Sequence, residues 1–192
     1  MKLQDKLIHS FEKFAQNKQE SETEHLSKLR AQAMATFTAQ GFPTTKDEEW
    51  KYTSLNKNNK RDYALESDFS LDLTPEDVEG FLCTGLDSYK LIFVDGVFNP
   101  SLSSTALQDT FSVTSLEEGY QGKTEVFNQH YGSLADAKLS MVALNTAFAE
   151  EGAFVHVKAG AVVDKLVQIL YINTDSTKAV MSQVRNLFVV ED

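Results

Sequence analysis

Apolar residues recur at helical spacing from the start of the chain. Leu3, Leu7, Ile8, Phe11 and Phe14 fall on one stripe, which predicts an amphipathic helix. A polar break from Gln16 to Gln19 ends it. Ser21 followed by Glu24 has the spacing of a capping box and predicts the start of a second helix. Leu26, Leu29, Ala33 and Phe37 mark its buried face. Gly41 suits the left-handed residue that closes a helix, and Pro43 blocks continuation. Thr45 and Glu48 repeat the capping-box spacing, so a short helix is predicted from Lys46, carrying Trp50 and fading near Leu55.

The stretch from Asn56 to Lys60 is polar and aperiodic and reads as a loop. Thr74-Pro75-Glu76-Asp77 then offers a cap, a proline at the first helical position and acids at the positive end of the dipole. From Lys90 the pattern shifts towards strands. In "LIFVDGVFNP" two apolar runs flank Asp95-Gly96, a two-residue hairpin signal. Thr110 to Leu116 reads as a further strand. Helices are predicted near Lys123 to His130 and from Asp136 to Glu150, the second with Leu139, Met141, Leu144, Ala147 and Phe148 towards one side and Gly152 as its stop. "GAFVHVKAG" alternates, with Val155 and Val157 on one side and Phe154, His156 and Lys158 on the other. "VVDKLVQILYIN" is apolar on both faces around Leu170 and predicts a strand covered on both. A last strand, "RNLFVV", begins at Arg185, and its exposed edge is expected to pair or aggregate.

These elements predict an α+β chain in three parts: a helical region over 1–55, a linker with a short helix over 56–90, and a mixed region over 91–192. The chain has 192 residues, 42% hydrophobic and 24% charged, which is enough apolar content to bury a core without staples. The net charge of −10, with no run of Lys or Arg, disfavours binding of nucleic acid or an anionic membrane through a basic face. The single cysteine, Cys83, cannot form an internal disulfide or a multi-thiolate metal site. With no secretory signal or spanning apolar run in the sequence, a cytoplasmic location is expected.

The densest cluster of functional residue types is Glu48-Glu49-Trp50-Lys51-Tyr52. Neighbours on a helix point about 100° apart, so the two glutamates do not face one another as a catalytic pair. A capped helix with a buried aromatic anchor accounts for the cluster, and Trp50 is expected to be mostly buried. His9, His25, His130 and His156 share no metal-ligand spacing. His156 sits mid-strand, where a satisfied sheet histidine is the expectation and a general base the alternative. Cys83 has no cationic neighbour in sequence and reads as a buried, inert thiol. "GYQGK" (Gly119 to Lys123) is a weak phosphate-loop signal, because no apolar strand closely precedes it. No catalytic, cofactor-binding or metal-binding set emerges.

Three stretches, in order, resemble the SufB/SufD family of iron–sulfur cluster assembly proteins, and within it the SufD branch. They are "GFPTTKDEEWKYTSL" (Gly41 to Leu55), "LIFVDGVFNPSLSS" (Leu91 to Ser104), and "LNTAFAEEGAFVHVKAGAVVDKLVQILYIN" (Leu144 to Asn173) with "VRNLFVVED" behind it. Glu49, Trp50, Lys51 and Tyr52 match the family's first motif, as structural or interaction residues. Leu166 stands where family members commonly carry proline. The resemblance implies the opening strands of a right-handed β-helix, truncated here because family members are about twice as long. It implies the N-terminal fragment of a SufD-like scaffold that is not an enzyme, with SufB-like and SufC-like ATPase partners and an iron–sulfur cluster only at the level of the full complex. Two other readings stand beside it: a free-standing protein-binding adaptor, and a small hydrolase built on His156.

Overall fold

The computed structural model describes residues 2–18, 20–65, 73–174 and 179–192. In chain order the helices are α1 (Leu3–Lys18), α2 (Glu24–Gln40), α3 (Pro75–Glu79), α4 (Leu116–Gly122), α5 (Thr124–His130) and α6 (Ser140–Phe148). The strands are β1 (Tyr63–Ala64), β2 (Ser88–Val94), β3 (Val97–Phe98), β4 (Ala106–Leu107), β5 (Phe111–Ser115), β6 (Ala153–Val157), β7 (Leu166–Ile172), β8 (Ala179–Val180) and β9 (Leu187–Val190). The fold is α+β, and among the described residues no sheet closes on itself. The chain forms two compact units, Met1–Ala64 with Tyr131–Ala149, and Leu65–His130 with Glu150–Asp192.

In the first unit, α1 turns its stripe inward at Leu3 and Leu7, and α2 buries Leu26, Ala33, Met34 and Phe37. Phe11 and Phe14 meet Phe148 of α6 with ring centroids 5.7 and 5.3 Å apart. The N-cap of α2 is Thr23, whose side chain accepts the Leu26 N–H, and not Ser21 as the spacing predicts. Ser21 instead donates its hydroxyl hydrogen back to the Lys18 carbonyl at the end of α1. Gly41, at φ 69°, closes α2 as expected, with its N–H on the Phe37 carbonyl.

A charged side chain sits in the middle of that apolar stripe. Arg30 is 5% exposed. Its Nε and Nη2 each donate to the Glu22 carboxylate at 2.9 Å. Its Nη1 donates to the Ala147 carbonyl at 3.2 Å, in the last turn of α6. The guanidinium also lies 5.3 Å from the Phe14 ring centroid. The last carbonyls of a helix lack intrahelical partners and carry its negative end, so a cation there satisfies acceptors and dipole together.

In the second unit, β2 lies between β3 (antiparallel) and β7 (parallel). The β2–β3 turn is the expected two-residue hairpin, with Asp95 at φ 49° and Gly96 at φ 88°, the pair of positive values that this turn type requires. Asp95 is held by Thr174, whose N–H and hydroxyl both donate to its carboxylate. One face of the sheet packs Leu91 and Phe93 against Phe111, Val113, Ala153 and Val155 of a second sheet, ordered β4-β5-β6-β9. The other face packs Ile92 and Val94 against Val78 of α3 and Leu102. Strand β7 contributes Val167 and Ile169 to the first cluster and Leu170 and Ile172 to the second. It is apolar on both faces as expected, but it is covered incompletely because it lies at the sheet edge, with Leu166 and Tyr171 49% and 38% exposed.

Helix α4 is not legible as a helix in the sequence, because two of its seven residues are glycine. The structure gives one of them a reason. A Cβ on Gly119 would stand 2.3 Å from the Phe154 ring, so the glycine lets α4 lie directly on β6. "GYQGK" is therefore a packing feature. Replacing Arg30 with Met strands the Glu22 carboxylate without its cation. The expected cost is about 3–5 kcal/mol, read from the denaturant midpoint of the helical unit. Arg30→Met with Glu22→Leu should recover much of that loss, and an Arg30→Met protein as stable as the parent would refute this role for the ion pair.

Candidate functional site

The Trp50 segment is built on a cap that sits one register earlier than the sequence predicts. The Asp47 carboxylate accepts the Thr44 N–H at 2.7 Å and the Thr44 hydroxyl at 3.1 Å. These bonds hold the Asp47 carboxyl below its ordinary pKa, the backbone N–H acting most strongly. In place of a helix running towards Leu55 there is a single 3₁₀ turn, Glu48–Trp50. Trp50 is half-buried, less covered than the expected anchor. Glu49 and Lys51 are exposed, and Tyr52 is 92% exposed. Lys51 Nζ lies 5.7 Å from the Tyr52 ring centroid and 3.9 Å from Glu48, weak contacts at an exposed site. The turn groups Glu48, Lys51 and Tyr52 and points them at solvent. It creates no facing carboxylates and no activated nucleophile.

His156 is 2% exposed. Its Nε2 lies 2.8 Å from Glu191 Oε1, and an ionised carboxylate only accepts, so Nε2 carries the hydrogen. The other carboxylate oxygen accepts the Ala159 N–H at 3.3 Å. Glu191 thus clamps the end of β6 and the turn after it. The β5–β6 register sets Ser112 opposite His156, whose ring is bonded to the Glu191 carboxylate. Ser112 Oγ has no hydrogen-bond partner among the described residues, and Ser112 is 0% exposed. A nucleophile must reach both its base and its substrate, and this one reaches neither. Among the described residues no group of three or more His, Cys, Asp or Glu could hold a metal ion. No described helix is long and apolar enough to cross a membrane. Cys83 is exposed, contrary to the buried thiol expected, because it lies in the loop after α3, where its N–H donates to Gln168 Oε1 at 2.8 Å.

Sequence reading missed the role of Asn186. Its side-chain oxygen accepts the Ala153 N–H of β6 at 2.8 Å and the hydroxyl of Tyr171 on β7. One carboxamide therefore joins strands of two sheets. Tyr171 also stacks on Phe93, with centroids 4.9 Å apart, and its burial raises the phenol pKa. The "RN" dipeptide was the available signal, since it precedes an apolar run without a cap or turn role. The strand it introduces, β9, pairs in parallel with β6 and lies at the sheet edge. It buries Leu187 and Val189 and leaves Phe188 and Val190 55% and 72% exposed.

The His156 hydrogen bond, then the Ala159 N–H, depresses the Glu191 pKa below its ordinary 4.5. The stability this clamp adds is present above that value and is lost as pH falls through the folded-state pKa. Glu191→Gln should therefore flatten the decline of the denaturation midpoint below pH 4.5. An acid limb identical in variant and parent would show that the clamp contributes nothing.

With the geometry in place, comparison with known proteins identifies the lineage. The family model described as the SufBD protein N-terminal region matches residues 1–169. An iron–sulfur cluster assembly SufBD family protein of Synechocystis is 27% identical over 152 residues, 79% of this chain and 33% of that protein. The iron–sulfur cluster assembly protein SufD of Escherichia coli is 32% identical over 102 residues, 50% of this chain and 23% of that protein. The matches thus span about a third and about a quarter of the two relatives. A family model covering this much of the sequence shows that the chain belongs to the SufB/SufD family.

Proposed function

We propose that this chain is the N-terminal part of a SufD-like scaffold subunit that works with SufB-like and SufC-like partners in iron–sulfur cluster assembly and transfer. On this reading it is not itself an enzyme. ATP hydrolysis belongs to the SufC-like partner, the cluster is cargo held at the level of the complex, and the setting is cytoplasmic. Family membership supports the pathway. The observation that supports the architecture is a pair of parallel ladders. Strand β7 runs alongside β2 through seven registered pairs, and β9 alongside β6 through four. The chain leaves β6, forms β7 in the other sheet and returns as β9 beside β6. That path is the first coil of a right-handed β-helix in this proposal, with further rungs covering Leu166, Tyr171, Phe188 and Val190.

Two experiments test the reading. The full-length gene product, co-expressed with the SufB-like and SufC-like proteins of the same genome, should elute with them as one complex. Elution of the chain alone, where those two proteins associate with each other, would sink the scaffold assignment. In the Glu49-Trp50-Lys51-Tyr52 motif we assign Trp50 a structural role and Tyr52 a contact role. Trp50→Ala should then destabilise by about 2 kcal/mol, below the range for a fully buried aromatic, while Tyr52→Ala stays within about 0.5 kcal/mol. A loss of stability in Tyr52→Ala, or none in Trp50→Ala, would reverse the assignment.

A further inference from the structure

We propose that a cleft between the start of α1 and the turn at 58–61 binds a small phosphorylated metabolite. The cleft is open to solvent on one side and has a volume of about 570 Å³. Lys2, Lys6, Asn59, Lys60, Arg61 and Asp62 line it, with Leu3 as an apolar patch. Four cations and one carboxylate on one concave wall are out of keeping with a chain of net charge −10. The single acid is already engaged. Lys6 Nζ donates to Asp62 at 2.6 Å and to the Tyr63 carbonyl at 2.5 Å, which fixes that pair in the wall. The side chains of Lys2, Lys60 and Arg61 have no hydrogen-bond or ion-pair partner among the described residues, and neither does the Asn59 amide.

Like charges gathered around a cleft repel one another, and an anion between them removes that repulsion. The planar fork of Arg61 matches the paired oxygens of a phosphate, and the lysines add point charges. Lys2 and Leu3, at the start of α1, lie on the same wall, so the positive end of that helix is close to it. The volume exceeds what a bare phosphate needs and falls in the range of small-molecule sites, roughly 300–1,000 Å³. A phosphate attached to a small organic body fits both the charge and the space. This inference is independent of the scaffold reading, because the cleft lies wholly within the first unit and needs no partner.

Calorimetric titration tests it, using fructose 1,6-bisphosphate, inorganic pyrophosphate and citrate as probes. Both phosphates should bind saturably at one site and weaken as salt is raised. Citrate, of similar charge, should bind about tenfold more weakly, because each carboxylate offers two coplanar oxygens where a phosphate offers three to Arg61 and the lysines together. The double variant Lys60→Gln, Arg61→Gln should lose at least about tenfold for the phosphates, while Lys28→Gln on exposed α2 changes nothing. These are surface side chains without partners, so the fold is kept. Absence of saturable binding, equal binding by the double variant, or citrate binding as tightly as the phosphates would each overturn the proposal.

Discussion

Parallel strands cannot be joined by a tight turn, and the second unit is organised around that constraint. A chain that lays β7 beside β2 and β9 beside β6, each pair parallel, must leave each strand, travel and come back to run in the same direction. Here the return from β6 to β9 carries β7 within it, so the connection of one ladder is a strand of the other. The two sheets are thereby committed to each other. Leu91 and Phe93 face Val113 and Val155 because both ladders share one core. Asn186 ties the two ladders together, its one oxygen accepting from both β6 and β7.

The polar residues around β2 follow from the same constraint. Antiparallel β3 covers only the end of β2, at Phe93 and Val94. The remaining edge donors are met by the loop that follows. The Ile92 N–H donates to the Ser103 hydroxyl at 3.0 Å, and the Lys90 N–H to the Ser104 carbonyl at 2.9 Å. Asn99 shapes that loop by accepting the Leu102 N–H and, through its carbonyl, the Ser103 hydroxyl. The residues of "NPSLSS" are thus a substitute strand made of side chains and turns. A pattern search that looks for alternation reads this stretch as loop, although it completes a sheet edge.

What was legible in the sequence depended on whether the physics was local. The stripe of α1, the Gly41 stop, the Thr74-Pro75 start and the Asp95-Gly96 hairpin each rest on a few adjacent residues, and each stands where the pattern puts it. Caps slipped by one or two positions, at Thr23 and at the Thr44–Asp47 pair, because several Ser, Thr and Asp residues compete in each stretch and packing of the following helix decides between them. Several nonlocal facts left no trace. Nothing near residues 131–149 says that they pack with 1–64, and nothing near Arg30 says that a charge on an apolar stripe will find Glu22 and the carbonyl end of α6. His156 was readable as a sheet residue, but its partner Glu191 lies far along the chain.

This distinction explains why the family was recognisable when no chemistry was. The stretches that carry the resemblance contain the residues with fixed geometric duties: Asp95 at positive φ, Asn99 and Ser103 at the β2 edge, Gly152 before β6, and Asn186 between the ladders. Each duty admits few residue types, so each leaves a mark in the sequence whether or not a reaction occurs nearby. The opposite holds for the exposed face of the Trp50 turn and for Lys2, Lys60 and Arg61 of the cationic cleft at α1, side chains free of the fold's demands. Among the described residues the side chains of Tyr52, Lys60 and Arg61 make no hydrogen bond and fill no core. Side chains that the fold does not require are the ones available for contact with something else. In this chain they stand apart from the stretches that carry the resemblance, or, as with Tyr52, at the surface of one.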